Sequence, residues 1–315
     1  MQDRPEDALR DKELVFLVGA PRSGTTWLQL LLSRSPRVAT AQETHLFNLF
    51  LRPMVDKWNS DRKTAAKIGL TRVLSDEEFR KLLRAISGTV FAKIAQSRPS
   101  PTVILEKTPN HVNCWREILD VWPEAHFIHI IRDPRSVVAS LRVASKTWAS
   151  HWASSRITPN CERWIADVTD GREIRSATQN YQEVQFQELI SDGPETVMRI
   201  LRKLGVPSSL DDCRRYVDEC NIRNLQAGKL ESAPFDVAKM GKESFRIGTN
   251  DSWRNELSKR EIAVVERRTG PLMSELGFKP MNSSKAMVLF VDLGGTFRDA
   301  ATAAKKRLRG LVKRY

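Results

Sequence analysis

Three stretches of the chain bring together residue types able to bind and move an anionic group. The first is Gly19-Ala20-Pro21-Arg22-Ser23-Gly24-Thr25-Thr26, directly after the apolar run Leu14–Val18. A strand, a glycine-bounded turn and a helix start form a cradle whose backbone N–H groups face an anion. The spacing matches the phosphate loop G-x-x-x-x-G-K-[ST], except that Thr25 stands where the lysine belongs. That lysine reaches the β- and γ-phosphates, so its loss argues against ordinary nucleoside-triphosphate chemistry. Arg22 enters the loop instead. The second stretch is HFIHIIRDPRSVVASL, where Arg132 ends a strand and Ser140 follows eight residues on, in a helix. Both side chains could donate to one phosphate oxyanion. Taken alone, an Arg-Asp pair at a strand end is the pattern of a structural ion pair. The third comprises two polar clusters after short strands, Gln42–Phe47 and Glu106–His111. Such clusters fall on the carboxyl edge of a parallel sheet, the usual ligand side.

The elements that must position these residues follow from periodicity. Buried strands are expected at Leu14–Val18, Val38–Ala41, Thr102–Leu105 and Ala125–Ile131, with an edge strand at Val184–Leu189. Helices are expected at Thr25–Leu32, Val112–Val121, Ser136–Lys146 and from Asp192 to Leu204. Strands alternating with helices imply a parallel sheet with right-handed crossovers. Residues 48–100 read as helical insertion, with a capping box at Ser75–Glu78 opening the apolar face of Phe79, Leu82, Leu83 and Ile86. Residues 147–182, with Trp148, Trp152 and Trp164, read as helical, and Ser258–Glu261 is a second capping box. Residues 48–100 and 145–180 are the expected walls of an acceptor pocket, the alternative for 48–100 being helices that only pack. Ser244–Trp253 reads as an ordered loop.

The fold class is therefore α/β, a phosphate-loop-type central parallel sheet flanked by helices, with helical insertions and a C-terminal amphipathic helix. One domain over 1–280 and a basic tail over 281–315 is the simplest partition.

Of 315 residues, 41% are hydrophobic, enough for one sizeable core or two small ones. No apolar run approaches the ~18–20 residues that span a bilayer. The start, MQDRPEDALRDKE, carries both charge signs and does not have the pattern of a secretory leader. A cytoplasmic protein is expected, on the inner face of a membrane if the tail attaches there. Four scattered cysteines without a C-x-x-C pair speak against zinc and disulfide frameworks. The net charge is +13, and residues 297–315 supply nearly half of it, with seven basic residues against Asp299 alone. In that segment Phe297, Ala301, Ala304, Leu308, Leu311 and Tyr315 form one apolar stripe, suited to an anionic membrane surface or to docking on protein. Nucleic acid is not indicated, because no base-stacking aromatics accompany the charge.

Together and in this order, PRSGTTW at 21–27 and the R-D-P-R…S segment resemble the sulfotransferases that use 3′-phosphoadenylyl sulfate (PAPS). The resemblance extends weakly through Gly277. It implies that Arg22, Ser23, Gly24, Thr25 and Thr26 hold the 5′-phosphosulfate, that Arg132 and Ser140 hold the 3′-phosphate, and that no metal is needed. It implies that Trp27 lines the adenine site. Phe186 replaces a tyrosine of the family's nucleotide-contacting segment, so only apolar packing carries over. Phe245-Arg246-Ile247-Gly248 is similar to the family's late R-K-G element, which offers Arg246 to the 3′-phosphate.

Glu43-Thr44-His45 resembles the E-T-[RH] motif of the tyrosylprotein, bacterial and carbohydrate branch, in which the glutamate is the base. Lys107-Thr108-Pro109 lacks the lysine–x–histidine of the cytosolic branch. Glu43 is thus the expected base, with His45 and His111 as substitutes, and Lys107 the cation offsetting charge on the leaving oxygen. The expected reaction moves a sulfuryl group from PAPS to an acceptor hydroxyl, on a saccharide or lipid-linked acceptor, leaving 3′,5′-ADP. The alternatives are a phosphate-loop kinase or NTPase borrowing its lysine from elsewhere, and an inactive membrane-surface scaffold.

Overall fold

The computed structural model describes residues 8–64, 69–230, 233–240 and 251–281. The expected tail 281–315, apart from Met281, lies outside them. So do most of the expected loop at 244–253 and Arg246 within it.

Five parallel strands form one sheet: β1 (Glu13–Val18), β2 (Val38–Thr40), β3 (Val103–Lys107), β4 (His126–Ile131) and β5 (Tyr181–Gln185), in the order β2-β3-β1-β4-β5. β2 and β3 lie on one side of β1 and β4 and β5 on the other, the kind of switch at whose carboxyl edge open parallel sheets bind ligands. β1, β3 and β4 are rich in buried apolar residues because both faces are covered, whereas the edge strand β5 is largely polar. Alternation along β1 divides the core. Leu14, Phe16 and Val18 pack with Phe47, Phe91, Trp122 and Phe127 on one face. Val15 and Leu17 pack with Leu28, Leu31, Ile128, Val197 and Ile200 on the other.

The described residues cluster into two compact units, 8–132 with 166–240, and 133–165 with 251–281. The sheet and the cradle belong to the first. The second has its own small core of Val138, Ala139, Cys161, Trp253, Leu257, Ile262 and Val265. The capping boxes at Ser75 and Ser258 form as expected, and Ser209–Asp212 adds a third.

Three elements differ from expectation. β3 continues two residues further, so Glu106 and Lys107 stand on the strand itself, in register with Phe16 and Leu17. The edge strand begins earlier and ends at Gln185, and Phe186 opens a helix, Phe186–Ser191. Pairing with β4 decides this, since Ile131↔Gln185 is the last rung of the ladder. Residues 147–156 form turns, and the long helix starts only at Ile157.

Candidate active site

The cradle runs from Val18 into helix α1 (Thr25–Ser33), and two glycines make it possible. A Cβ on Gly19 would stand 2.4 Å from the Ile130 carbonyl oxygen, and one on Gly24 would stand 2.5 Å from the Phe186 ring. Gly24 also caps α1 with φ +98°, in the left-handed region that glycine adopts without strain. Arg22 occupies the same region at φ +74°, where a β-carbon is costly, an outlier of the kind that gathers at ligand sites. No side chain caps α1 and its first turn holds no acid, so its leading N–H groups face the loop. Ser23 is fully buried, yet among the described residues its hydroxyl has no hydrogen-bond partner. A buried polar atom left without a partner beside an uncapped helix start fits an anionic group, which would satisfy both.

Arg132, at the end of β4, closes the cradle from the side. Its Nη1 donates to the Arg22 carbonyl at 3.2 Å, and its guanidinium lies 4.2 Å from the Phe186 ring centroid. Phe186 meets Trp27 edge-on at 5.8 Å, and the Trp27 indole N–H donates to the Cys220 carbonyl at 3.0 Å. Arg22, Gly24, Trp27, Arg132 and Phe186 are thus one contiguous group. Ser140 sits in the helix Pro134–Ala144 of the second unit.

The carboxylate loop is brought to the same edge by buried polar contacts. Gln29 of α1 donates to Thr40 Oγ1 at 2.8 Å and to the Ala41 carbonyl at 2.7 Å, and Thr40 Oγ1 donates to the Leu105 carbonyl at 2.6 Å. The chain then turns through His45 at φ +51° into a π-helical turn, Leu46–Leu51. Glu43 meets Lys107 here. Lys107 Nζ lies 2.5 Å from Glu43 Oε1 and 3.2 Å from Thr26 Oγ1, with the lysine side chain 1% exposed and the glutamate 28%. His45 Nε2 is 3.4 Å from the second Glu43 oxygen.

His111 is removed from the list of bases. It is wholly buried, with Nδ1 2.7 Å from Glu106 Oε2 and Nε2 accepting the Phe47 N–H at 3.1 Å. Glu106 itself, unassigned by the motifs, is a buried carboxylate bonded to Thr44, Thr108 and His111. Burial opposes its ionisation. The pull of His111 and the Thr108 and Thr44 hydroxyls outweighs that and brings the carboxyl down to about 2. A glutamate inside an apolar strand was its one sequence signal.

The sulfotransferase family model matches residues 15–212. The chain belongs to the sulfotransferase family. It is 24% identical over 290 residues to the nodulation protein NoeE of Sinorhizobium fredii, covering 84% of this chain and 66% of that protein. It is 24% identical over 280 residues to the protein-tyrosine sulfotransferase of Drosophila melanogaster, covering 86% and 52%. The chain therefore spans between half and two thirds of these relatives' lengths. Among solved structures, the sulfotransferase domain of the Synechococcus olefin synthase superposes with TM-score 0.54 at 17% identity, covering 86% of this chain and 97% of that one. Mouse sulfotransferase SULT7A1 complexed with PAP gives 0.51 at 14% identity, with 91% and 92% covered. These sulfotransferases share the fold of this chain. Among the described residues, no helix is long and apolar enough to cross a membrane.

Proposed function

We propose that this chain transfers a sulfuryl group from PAPS to an acceptor hydroxyl, with Glu43 as base. The observation that carries the reading is the position of Lys107. Its buried ammonium contacts both Thr26 of the cradle and the Glu43 carboxylate, which supports a cation and a base acting side by side there.

The donor supplies an activated sulfuryl group on a phosphate leaving group. Arg22, Ser23, Gly24, Thr25 and Thr26 bind the phosphosulfate through backbone N–H groups, hydroxyls and a guanidinium. Trp27 and Phe186 supply apolar surface for the base, and Arg132, with Ser140 and Arg246 by family resemblance, takes the 3′-phosphate. Glu43 accepts the acceptor's proton as the new sulfur–oxygen bond forms. Lys107 offsets the charge that grows on the bridging oxygen as the old bond breaks. The protein's work is positioning and charge stabilisation, as in phosphoryl transfer.

For the acceptor we propose a saccharide or lipid-linked saccharide. The basic, striped pattern of 297–315 supports an anionic surface, membrane or protein, holding the enzyme near it on the cytoplasmic side. Incubation with labelled PAPS and cell extract, separated into lipid, polysaccharide and protein fractions, tests donor and acceptor together. Label in the lipid or polysaccharide fraction is expected, and label confined to protein would replace this acceptor with a tyrosine-bearing one. Binding of 3′,5′-ADP in EDTA is expected, while magnesium-dependent binding of ATP instead would return the chain to the NTPases.

A further inference from the structure

Glu106 has no place in the mechanism above, and its surroundings give no packing reason for a charge. Its neighbours along β3, Ile104 and Leu105, are fully buried apolar residues. A buried carboxylate is costly unless hydrogen bonds fill its lone pairs, and here they are filled from one loop and one turn. Oε1 accepts from the Thr44 hydroxyl at 2.8 Å, from the Thr44 N–H at 3.4 Å and from the Thr108 hydroxyl at 2.7 Å. Oε2 faces His111 Nδ1 at 2.7 Å. The pattern continues on either side. Thr108 Oγ1 accepts the His45 N–H at 3.2 Å, and His111 Nε2 accepts the Phe47 N–H at 3.1 Å. Lys107 holds Glu43. The loop residues 43, 44, 45 and 47 are therefore each tied to one of the side chains 107, 106, 108 and 111.

We propose that Glu106 is a positioning residue for sulfuryl transfer: through Thr44, Thr108 and His111 it clamps the loop that carries the base Glu43 against the end of β3. The inference rests on the function proposed above for Glu43. The clamp also fixes a tautomer. Because the Phe47 N–H donates to Nε2, the proton of His111 sits on Nδ1 and points at Glu106. A glutamine at 106 would turn an N–H₂ or an unpaired oxygen toward this network. With its single oxygen toward His111 Nδ1–H, the Thr44 N–H loses its acceptor and faces the amide N–H₂; with the amide reversed, the N–H₂ faces the Nδ1–H, donor against donor.

The test compares Glu106→Gln, Thr44→Val and Thr44→Ser with the natural chain by amide hydrogen exchange over residues 42–51, affinity for 3′,5′-ADP, and steady-state kinetics with PAPS. Glu106→Gln is expected to lose protection at the amides of 44, 45 and 47 while keeping its nucleotide affinity. Its kcat should fall about 10²-fold, the scale of an ångström-sized misplacement, with KM for PAPS little changed. Thr44→Val, which removes a single hydroxyl from a partly exposed site, should show the same split on a smaller scale, and Thr44→Ser should restore most of it. Unchanged exchange in Glu106→Gln overturns the clamp. So does a loss of kcat accompanied by equal loss of nucleotide affinity and of protection throughout the sheet, which marks general destabilisation. If Glu106→Gln does not fold, Thr44→Val with unaltered exchange and kcat overturns it equally. Failure of the natural chain to turn over PAPS would instead remove the function proposed for Glu43, and the exchange measurements would still decide the clamp.

Discussion

Two buried cations, Arg135 four residues past the end of β4 and Lys107 at the end of β3, are treated in opposite ways. Arg135 is saturated. Its Nε and Nη2 grip Asp133, its Nη1 reaches Glu266 at 2.7 Å and the Lys279 carbonyl at 3.0 Å, and its guanidinium lies 4.1 Å from the Trp253 ring. Asp133 further accepts the Arg135 backbone N–H as a helix cap, and arginine and carboxylates alike are buried. Lys107 is as deeply buried, but among the described residues its three N–H groups have two hydrogen-bond partners, and Glu43 stays partly open to solvent. A cation whose partners are all interior holds structure together. One whose carboxylate is partly open to solvent leaves that carboxylate accessible beside a buried cation.

The largest effect should come from the open pair. Glu43→Gln is expected to lower turnover by about 10²–10⁴-fold while 3′,5′-ADP binds nearly as before, checked by labelled-sulfuryl transfer and calorimetry. Retained turnover would pass the base role to His45. The saturated pair should fail in another currency. Arg135→Ala leaves two buried carboxylates without their cation and is expected to cost about 3–5 kcal/mol in urea unfolding. A small change there would erase the contrast, because Arg135 would then be no more structural than Lys107.

Acid sharpens the comparison at two other buried groups. Burial first, and then the charge of Arg172, hold His129 neutral and lower it to about 3 from an ordinary value of 6.5. The unfolded chain therefore takes up that proton first, and stability starts to fall as pH drops below about 6.5. Glu106 is depressed from 4.5 to about 2, so its contribution is complete above about 4.5 and is lost as pH falls toward 2. Urea midpoints measured from pH 7 to 2.5 should show both, and Glu106→Gln should flatten only the lower limb. A curve level down to pH 4.5 would contradict a buried neutral His129.

The cradle and Arg132 were legible because local rules set them: glycines where a Cβ has no room, an apolar run before them, an arginine after another. The inner strands β1, β3 and β4 were legible for the same reason, as each carries a short apolar run buried on both faces. Phe186 was misplaced as strand because its apolar character suits either element, and only the ladder to β4 says where pairing stops. The clamp at Glu106 was not legible as a site. Its partners Thr44, Thr108 and His111 are ordinary in sequence, and the contacts of the clamp span as many as 64 residues. Tertiary pairing made that arrangement, and no local pattern encodes it.

The smallest predicted effect divides Arg132 between two jobs. Its Nη1 braces the Arg22 carbonyl, and its face lies on Phe186, so some part of its value is to keep the cradle in shape. The remainder, in the reading proposed here, is a charge-assisted contact with the 3′-phosphate. Such a contact is worth about 1.5–3 kcal/mol, so Arg132→Ala should weaken 3′,5′-ADP about 10–100-fold. For adenosine 5′-phosphate, which lacks the 3′ group, only the bracing term is lost, and calorimetry should show a few-fold change. Phe186→Ala, which removes the ring beneath the guanidinium but no donor, should weaken both nucleotides alike and by a few-fold at most. Equal losses for the two nucleotides in Arg132→Ala would leave the residue as a brace alone, closer in kind to Arg135 than to Lys107.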